Sequence, residues 1–241
     1  MTDRPIIFSG GMVNALLEGR KFQTRRIVKP QPTDRMSKKT VPPQILKHPP
    51  KHAAPYFDRY HKGPFWCWWD EYDRQGPDWI REPCRPGDLL WVREGHALVP
   101  ASAYRMSEGV RQAVNPDDPD RAAVYREGFD RSCGGFRWRP SIHMPRWASR
   151  ITLVVTDIRP ERVQDISEDD ARAEGLSPHP NGKFYIGEDD EGPIWAKSPI
   201  TAFANLWNSI HGPDAWGRND WVWRLSFDVH RCNIDSVEAQ P

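Results

Sequence analysis

The chain has 241 residues, of which 38% are hydrophobic and 28% charged, and its formal net charge is +1. This length supports one elaborated domain or two small ones, and the near-neutral charge leaves only local arguments for nucleic-acid binding. No apolar run approaches the roughly 18 residues of a membrane span, and residues 1–9 are too short and too polar for a signal peptide. We therefore expect a cytoplasmic protein without a membrane partner.

The predicted elements alternate between short strands and short helices. Along the chain, strand patterns cover residues 5–8, 89–94, 149–158 and 221–227. Helix patterns cover residues 12–18, 166–175 and 199–210, with Ser9 and Ser167 as caps and Gly19 and Gly175 as terminators of the first two. The acids at Asp165, Glu168, Asp169 and Asp170 suggest either a metal site or charges at a helix start, and the second is the simpler interpretation.

Three polar excursions separate these elements, at about residues 30–86, 100–137 and 176–199. We interpret residues 1–230 as a single domain that carries these insertions, and residues 231–241 as a C-terminal tail. Short strands with unequal loops do not build a doubly wound sheet, so they favour an α+β fold with a small mixed barrel and helices on its rim. In the first excursion, Trp66, Trp68 and Trp69 either line a pocket or anchor the insertion on the barrel.

The four cysteines are widely spaced and form no CxxC pair, which favours reduced cytosolic thiols. A zinc site that combines them with His61 or His143 is an alternative, but the spacing typical of paired ligands is missing. We expect no metal.

Residues 19–29 (GRKFQTRRIVK) hold five cations and one hydroxyl just after the first helix. Lys21 and Thr24 are three residues apart, so their side chains can touch on a helical turn or in a tight loop. Thr24 can attack an acyl carbonyl if a base activates it, and Lys21 is such a base if its pKa falls from about 10.4 to about 7 or 8. Neighbouring arginines and burial both lower that pKa. The alternative is a solvated basic loop with an ordinary turn hydroxyl.

Five blocks of the chain together resemble the ASCH-domain family, in its phage and prophage branch. They are the G-x-K-x-x-x-x-R frame of residues 19–26, the strand at 86–94, residues 139–148, the strand and helix of 151–175, and the closing W-V-W at 221–223. The resemblance implies a PUA-like mixed β-barrel with peripheral short helices and long loop insertions. It also implies a cleft, lined by the cationic loop, that suits a base or nucleotide.

Many relatives carry glutamate where this chain has Thr24, and the threonine form resembles the bacterial N4-acetylcytidine amidohydrolases. Lys21 and Thr24 match these enzymes by motif, and Glu174 matches by its place near the end of the helix. The resemblance implies removal of the acyl group from an N4-acylated cytosine nucleoside or a related modified base. Thr24 is then the nucleophile, Lys21 the base, and Glu174 the group that protonates the leaving amine or orients the ring.

The same resemblance implies no metal or organic cofactor, a nucleoside or nucleotide substrate, and a cytoplasmic location in a bacterial host or phage-infected cell. RNA or single-stranded nucleic acid is a further expected partner. Two alternatives are a non-catalytic module that binds RNA or modified-DNA bases, and a ribonuclease of the same superfamily.

Charged residues around the central strands are candidates for binding the substrate. Arg26 either binds a phosphate or a developing oxyanion, or pairs with an acid such as Glu94. Arg93 and Glu94 are adjacent in a predicted strand, so at most one of them faces the cleft.

The motif S-I-H-M-P-R-W supplies three further candidates for substrate binding. His143 is either an acid or base of the site or a hydrogen-bonded core residue. Arg146 and Trp147 place a cation beside a ring, an arrangement that can stack a base, although Trp147 is also suited to a hydrophobic core.

Overall fold

A computed structural model describes residues 2–29, 31, 44–46, 65–69, 79–131, 135–176, 178–189 and 192–237. Within these ranges the chain is an α+β protein made mostly of strands. The strands are β1 (Asp3–Ile7), β2 (Gln23–Ile27), β3 (Gln44–Leu46), β4 (Phe65–Trp69), β5 (Trp79–Arg81), β6 (Leu89–Arg93), β7 (His96–Pro100), β8 (Gln112–Asn115), β9 (Asp118–Tyr125), β10 (Thr152–Arg162), β11 (Phe184–Asp189), β12 (Gly192–Ala196) and β13 (Trp221–His230). The helices are α1 (Gly10–Leu17), α2 (Glu168–Ala173) and α3 (Pro199–His211). None of the described helices is both long and apolar enough to cross a membrane.

The largest sheet has five strands in the order β1-β6-β10-β13-β2. β1 runs parallel to β6, whereas the other neighbours are antiparallel. Apolar residues on one face of the long β10–β13 ladder, such as Leu153, Val155 and Leu225, pack with Val13 and Leu16 of α1 in the main core. The strands and helices predicted along this part of the chain are confirmed, with shifted ends.

A hydrogen bond from a side chain links β1 and β2, the two outer strands of this sheet. Arg26 in β2 donates from Nη2 to the carbonyl oxygen of Ile7 in β1, at 2.9 Å. The order of the sheet would otherwise place these strands at opposite edges. The sheet is therefore curled, but no ladder of backbone hydrogen bonds closes it into a barrel among the described strands.

The helix α2 ends beside the start of β2, and local sequence explains both of its ends. The Ser167 side chain accepts a hydrogen bond from the Asp170 backbone N–H, and acids fill the first turn. Gly175 follows the helix at φ 99°. A Cβ atom there would lie 2.8 Å from that of Ala15 and 3.1 Å from that of Lys21. Glycine thus allows α1, α2 and the start of β2 to meet.

The three excursions contain strands of their own. The first holds the β3-β4-β5 sheet, the second most of the β7-β9-β8 sheet, and the third the β11-β12 hairpin. In the second excursion, β8 reaches Asn115 and β9 begins at Asp118, although asparagine and proline in this stretch are typical of a loop. The sequences of these excursion strands lack the alternation that marks a half-buried strand, since β4 reads F-W-C-W-W throughout and β9 begins with D-P-D-R. Trp66, Trp68 and Trp69 lie in β4, but their side chains fall outside the described residues.

Candidate functional site

Lys21 lies at the junction of α1, α2 and β2. Its backbone forms an isolated antiparallel bridge with Glu174, and the Phe22 N–H donates to the Ala173 carbonyl at 3.0 Å. The following residues form β2, which pairs with β13. The segment predicted as a cationic loop is therefore mainly a strand. The reason is tertiary: β13 supplies the ladder, and acids from other elements compensate the crowded charge.

The Lys21 ammonium group is paired with Glu174, 153 residues further along the chain. Lys21 Nζ lies 2.8 Å from Glu174 Oε2 and 2.8 Å from the Glu174 carbonyl oxygen. The other carboxylate oxygen, Oε1, accepts a hydrogen bond from Arg25 Nη1 at 3.1 Å. One carboxylate thus bridges two cations in the interior of the protein, where an unpaired charge would be costly.

Arg25 extends this network to two more carboxylates. Its Nη2 lies 2.7 Å from Glu161 Oε1 and 3.4 Å from Asp170 Oδ2. β10, α2 and β2 are therefore tied together by charge. We call Lys21, Arg25, Glu161, Asp170 and Glu174 the buried charge cluster.

Burial lowers the pKa of Lys21 below its ordinary value. The Glu174 carboxylate opposes this shift, while Arg26 and Arg25 add to it. Loss of hydration is the largest cause of the shift, and repulsion from the neighbouring arginines is a smaller one. A neutral amine at Lys21 is favoured by its location more than by its cationic neighbours.

Thr24 lies in β2 opposite Leu225 of β13. In a strand, Thr24 and Arg26 share one face and Arg25 points to the other. The expected contact on a helical turn or loop is therefore absent: within the described chain, the Lys21 side chain hydrogen-bonds to Glu174 and not to Thr24. Lys21, Thr24 and Glu174 are 0%, 1% and 3% exposed, so they are closed off from solvent rather than lining an open cleft.

The buried Phe8 ring lies against Lys21 and Arg26. The ring centroid lies 5.4 Å from Lys21 Nζ and 5.1 Å from Arg26 Cζ. Both distances allow a cation–π contact. Phe8 follows β1 directly, so the contact that curls the sheet also closes this region.

Glu94 belongs to a different buried pair. Its oxygens accept hydrogen bonds from Nε and Nη2 of Arg150, each at 2.8 Å. The suggested Arg26–Glu94 pair is therefore wrong. Burial raises the pKa of Glu94, and the Arg150 guanidinium opposes that shift. Arg93, at the end of β6, stacks over Trp91 at 4.6 Å and donates to the Ile142 carbonyl at 3.2 Å.

The 141–147 segment lies on the surface. His143 is exposed on a single-turn 3-10 helix, so its interpretation as a buried core residue is wrong. Arg146 forms ion pairs with Asp3 and Asp235, both at 2.7 Å. Trp147 is partly buried against a small core that includes Met144. These candidate residues are thus not brought together with Lys21 and Glu174 by any described contact.

Sequence reasoning missed three members of the arrangement around Lys21. Arg25 was treated only as a source of repulsion, and Glu161 and Phe8 were not singled out. An available signal was the spacing of acids at 161, 170 and 174, which offers carboxylates to the crowded cations. Their partners depend on strand order, which single-residue patterns do not specify.

No known family model matches the chain, and comparisons with curated proteins and with solved structures yield no significant match. The ASCH assignment therefore stays a prediction from the motifs.

The described side chains include no group of three or more histidine, cysteine, aspartate or glutamate residues placed to hold a metal ion. Cys84 is a buried free thiol and Cys232 a partly exposed one. His61, Cys133 and the Cys67 side chain lie outside the described residues, so the alternative of a zinc site stays open.

Proposed function

We propose that the chain is an amidohydrolase that removes the acyl group from N4-acylated cytosine nucleosides or a related modified base. The observation that carries the proposal is the 2.8 Å contact between Lys21 Nζ and Glu174 Oε2. These are two of the three residues that the motif match assigns to catalysis. We also infer that the curled five-stranded sheet corresponds to a PUA-like barrel, which the Arg26–Ile7 link supports.

The reaction begins when Thr24 Oγ bonds to the acyl carbon and Lys21 Nζ takes the hydroxyl proton. The carbonyl oxygen becomes an oxyanion, and Arg26, on the same face of β2 as Thr24, stabilises it. When the carbonyl re-forms, the bond to N4 breaks. Glu174 relays the proton from Lys21 to the departing nitrogen, which leaves as the free amine of cytosine.

The second half of the reaction releases the acyl group. Neutral Lys21 takes a proton from water, and the oxygen bonds to the acyl carbon of the threonine ester. The ester C–O bond then breaks, and Thr24 regains its proton from Lys21. The sum is amide plus water giving amine plus carboxylic acid.

Charge balance supports Lys21 as the base. Arg25 compensates the Glu174 carboxylate from its second oxygen at 3.1 Å, so Glu174 does not need a protonated Lys21 as its only counter-charge. Burial then favours the neutral amine. The proton can return through Glu174, since that carboxylate touches the amine directly.

Access is the main requirement of this mechanism. The three residues are buried, so a substrate reaches them only when a covering group moves. Phe8 is such a group, because it lies over both Lys21 and Arg26. Replacing Phe8 with alanine should lower the KM for N4-acetylcytidine if the ring obstructs entry, provided that the variant stays folded.

The test is conversion of N4-acetylcytidine to cytidine by the purified full chain, followed by liquid chromatography. Thr24→Val keeps the volume and removes the hydroxyl, so turnover should fall more than about 10³-fold. Thr24→Ser keeps a hydroxyl and should retain turnover. Equal activity of the wild-type chain and a folded Thr24→Val variant would exclude Thr24 as the nucleophile.

The second candidate function is a binding module that performs no turnover. The burial of Thr24 and the absence of a Lys21–Thr24 hydrogen bond favour this candidate. In that case the buried charge cluster is structural, and N4-acetylcytidine is recovered unchanged. Binding of RNA that weakens steeply with salt would then select this function.

A further inference from the structure

A second, open region of the molecule has the features of an anion site. It is a cleft of about 450 Å³ between the β7-β9-β8 sheet and the segments at residues 147–150 and 232–233. Such a volume lies within the range of small-molecule sites. The residues of its lining that matter here are Tyr104, Arg105, Arg111, Gln112, Trp147 and Arg150. None of them belongs to the buried charge cluster.

The charged residues that line this cleft within the described chain are all positive. Among the described residues, three arginines line it and no aspartate or glutamate does. Arg150 is already neutralised by Glu94. Arg105 and Arg111 are exposed, and neither forms an ion pair within the described ranges of the chain. An adjoining cavity of about 150 Å³ shares Arg111 and Arg150 and adds the single acid Glu127.

The remaining lining offers a flat ring and a fixed amide. Trp147 packs on its small core by part of its surface, and the same residue borders the cleft. Gln112 is held by a 2.9 Å hydrogen bond from its Nε2 to the Ala101 carbonyl. Its Oε1 atom is buried and accepts no hydrogen bond, so a ligand in the cleft does not reach it.

We propose that this cleft binds a phosphate-bearing nucleotide. Arg105 and Arg111 bind the phosphate, because guanidinium groups pair with its oxygens in a bidentate manner. The base stacks on Trp147. The nucleotide is either free or part of a single RNA strand, since both present the same phosphate and ring. The site is independent of the proposed hydrolysis at Thr24.

The test measures binding to the full chain in two arms. One arm titrates the four nucleoside monophosphates by calorimetry, with the unphosphorylated nucleosides alongside. The other uses the fluorescence anisotropy of a labelled eight-nucleotide RNA. We expect nucleotides to bind at least about tenfold more tightly than nucleosides. An RNA affinity well above that of any mononucleotide assigns the site to a strand, and similar affinities assign it to free nucleotides.

The variant Arg105→Gln/Arg111→Gln should weaken binding at least about tenfold, in the calorimetric or the anisotropy measurement that detects binding to the wild-type chain. For RNA, the plot of log K against log salt should also become shallower by about 1.4, or about 0.7 for each lost phosphate contact. Arg85→Gln/Arg137→Gln is the matched control, since it removes the same charge from exposed positions that lie outside this cleft and form no ion pair within the described residues. Equal weakening by both pairs, or none by the first, overturns the proposal, as does a lack of binding in both arms.

Cys232 gives a readout that does not depend on mutation. This partly exposed thiol lines the same cleft. Bound nucleotide should slow its alkylation by iodoacetamide several-fold, as measured by peptide mass spectrometry. Unchanged alkylation at saturating nucleotide would place the ligand elsewhere. Thr24→Val should change neither the affinity for nucleotides nor the protection of Cys232 from alkylation. This result separates the nucleotide-binding proposal from the proposed hydrolysis.

Discussion

The buried charge cluster and the open cleft use cations in opposite ways. In the cluster, Lys21 and Arg25 are shut away from water, and both are bound to Glu174. In the cleft, Arg105 and Arg111 are exposed and lack acidic partners among the described residues. Removal of Lys21 or Arg25 leaves an uncompensated charge in the interior, whereas removal of Arg105 or Arg111 leaves only water. Burial thus determines whether a charge serves stability or remains available to a ligand.

The largest expected effect comes from Glu174→Ala. This change leaves Lys21 and Arg25 with one carboxylate fewer in a closed environment, so the free energy of unfolding should fall by about 3–5 kcal/mol. Urea denaturation followed by circular dichroism measures it. Glu168→Ala is a suitable control, because that acid is exposed in the first turn of the same helix. A loss equal to that of the control would mean that the cluster does not stabilise the fold.

Arg150→Met replaces a residue that lies between the protein interior and the open cleft. Arg150 borders the cleft, yet it pairs with the buried Glu94 and its side chain is 13% exposed. Its loss should lower the free energy of unfolding by about 2–3 kcal/mol at neutral pH.

The pH dependence of this variant has a definite sign. Burial already raises the pKa of Glu94 above its ordinary value of 4.5, and Arg150 restrains that rise. When a carboxyl group has a higher pKa in the folded state than in the unfolded state, it destabilises the fold as the pH rises. The free energy of unfolding then falls between the unfolded-state pKa, about 4.5, and the higher folded-state pKa. The destabilisation by Arg150→Met should therefore grow with pH and shrink in acid. Denaturation series at several pH values measure it, and a loss independent of pH would contradict the assigned cause.

The pH dependence of the proposed hydrolysis is the third prediction. Only neutral Lys21 can act as the base, so kcat/KM should rise by about tenfold per pH unit below its pKa. Because burial lowers that pKa, the plateau should begin below 10.5. A rise that continues to the ordinary pKa of lysine would show that the amine is not perturbed in the working enzyme.

The smallest expected effect is that of Arg111→Gln on stability. The residue is exposed and unpaired within the described chain, so the free energy of unfolding should change by no more than about 0.5 kcal/mol. The same denaturation assay applies. A larger loss would mean that Arg111 has a structural role, and that the contrast between the two regions is weaker than their exposure suggests.

Local patterns predicted much of the fold. Alternating apolar residues identified the central strands, and Ser167 with Gly175 identified the ends of α2. The strands inside the excursions were missed because sequences such as F-W-C-W-W in β4 and D-P-D-R at the start of β9 lack the alternation of a half-buried strand. The motif match named Lys21, Thr24 and Glu174, but the expected contact between Lys21 and Thr24 depended on a loop or helical turn that became β2.

The sequence by itself determined where the helices and the central strands β1, β6, β10 and β13 lie, because caps, glycines and apolar periods act within a few residues of one another. Only the tertiary structure decided which charges are buried. The Lys21–Glu174 pair joins positions 153 residues apart, and it forms because β13 orders β2 while Gly175 lets α1 approach α2. Desolvation depends on everything packed around a group, so no local pattern could distinguish Lys21 in the interior from Arg111 at the rim of a cleft.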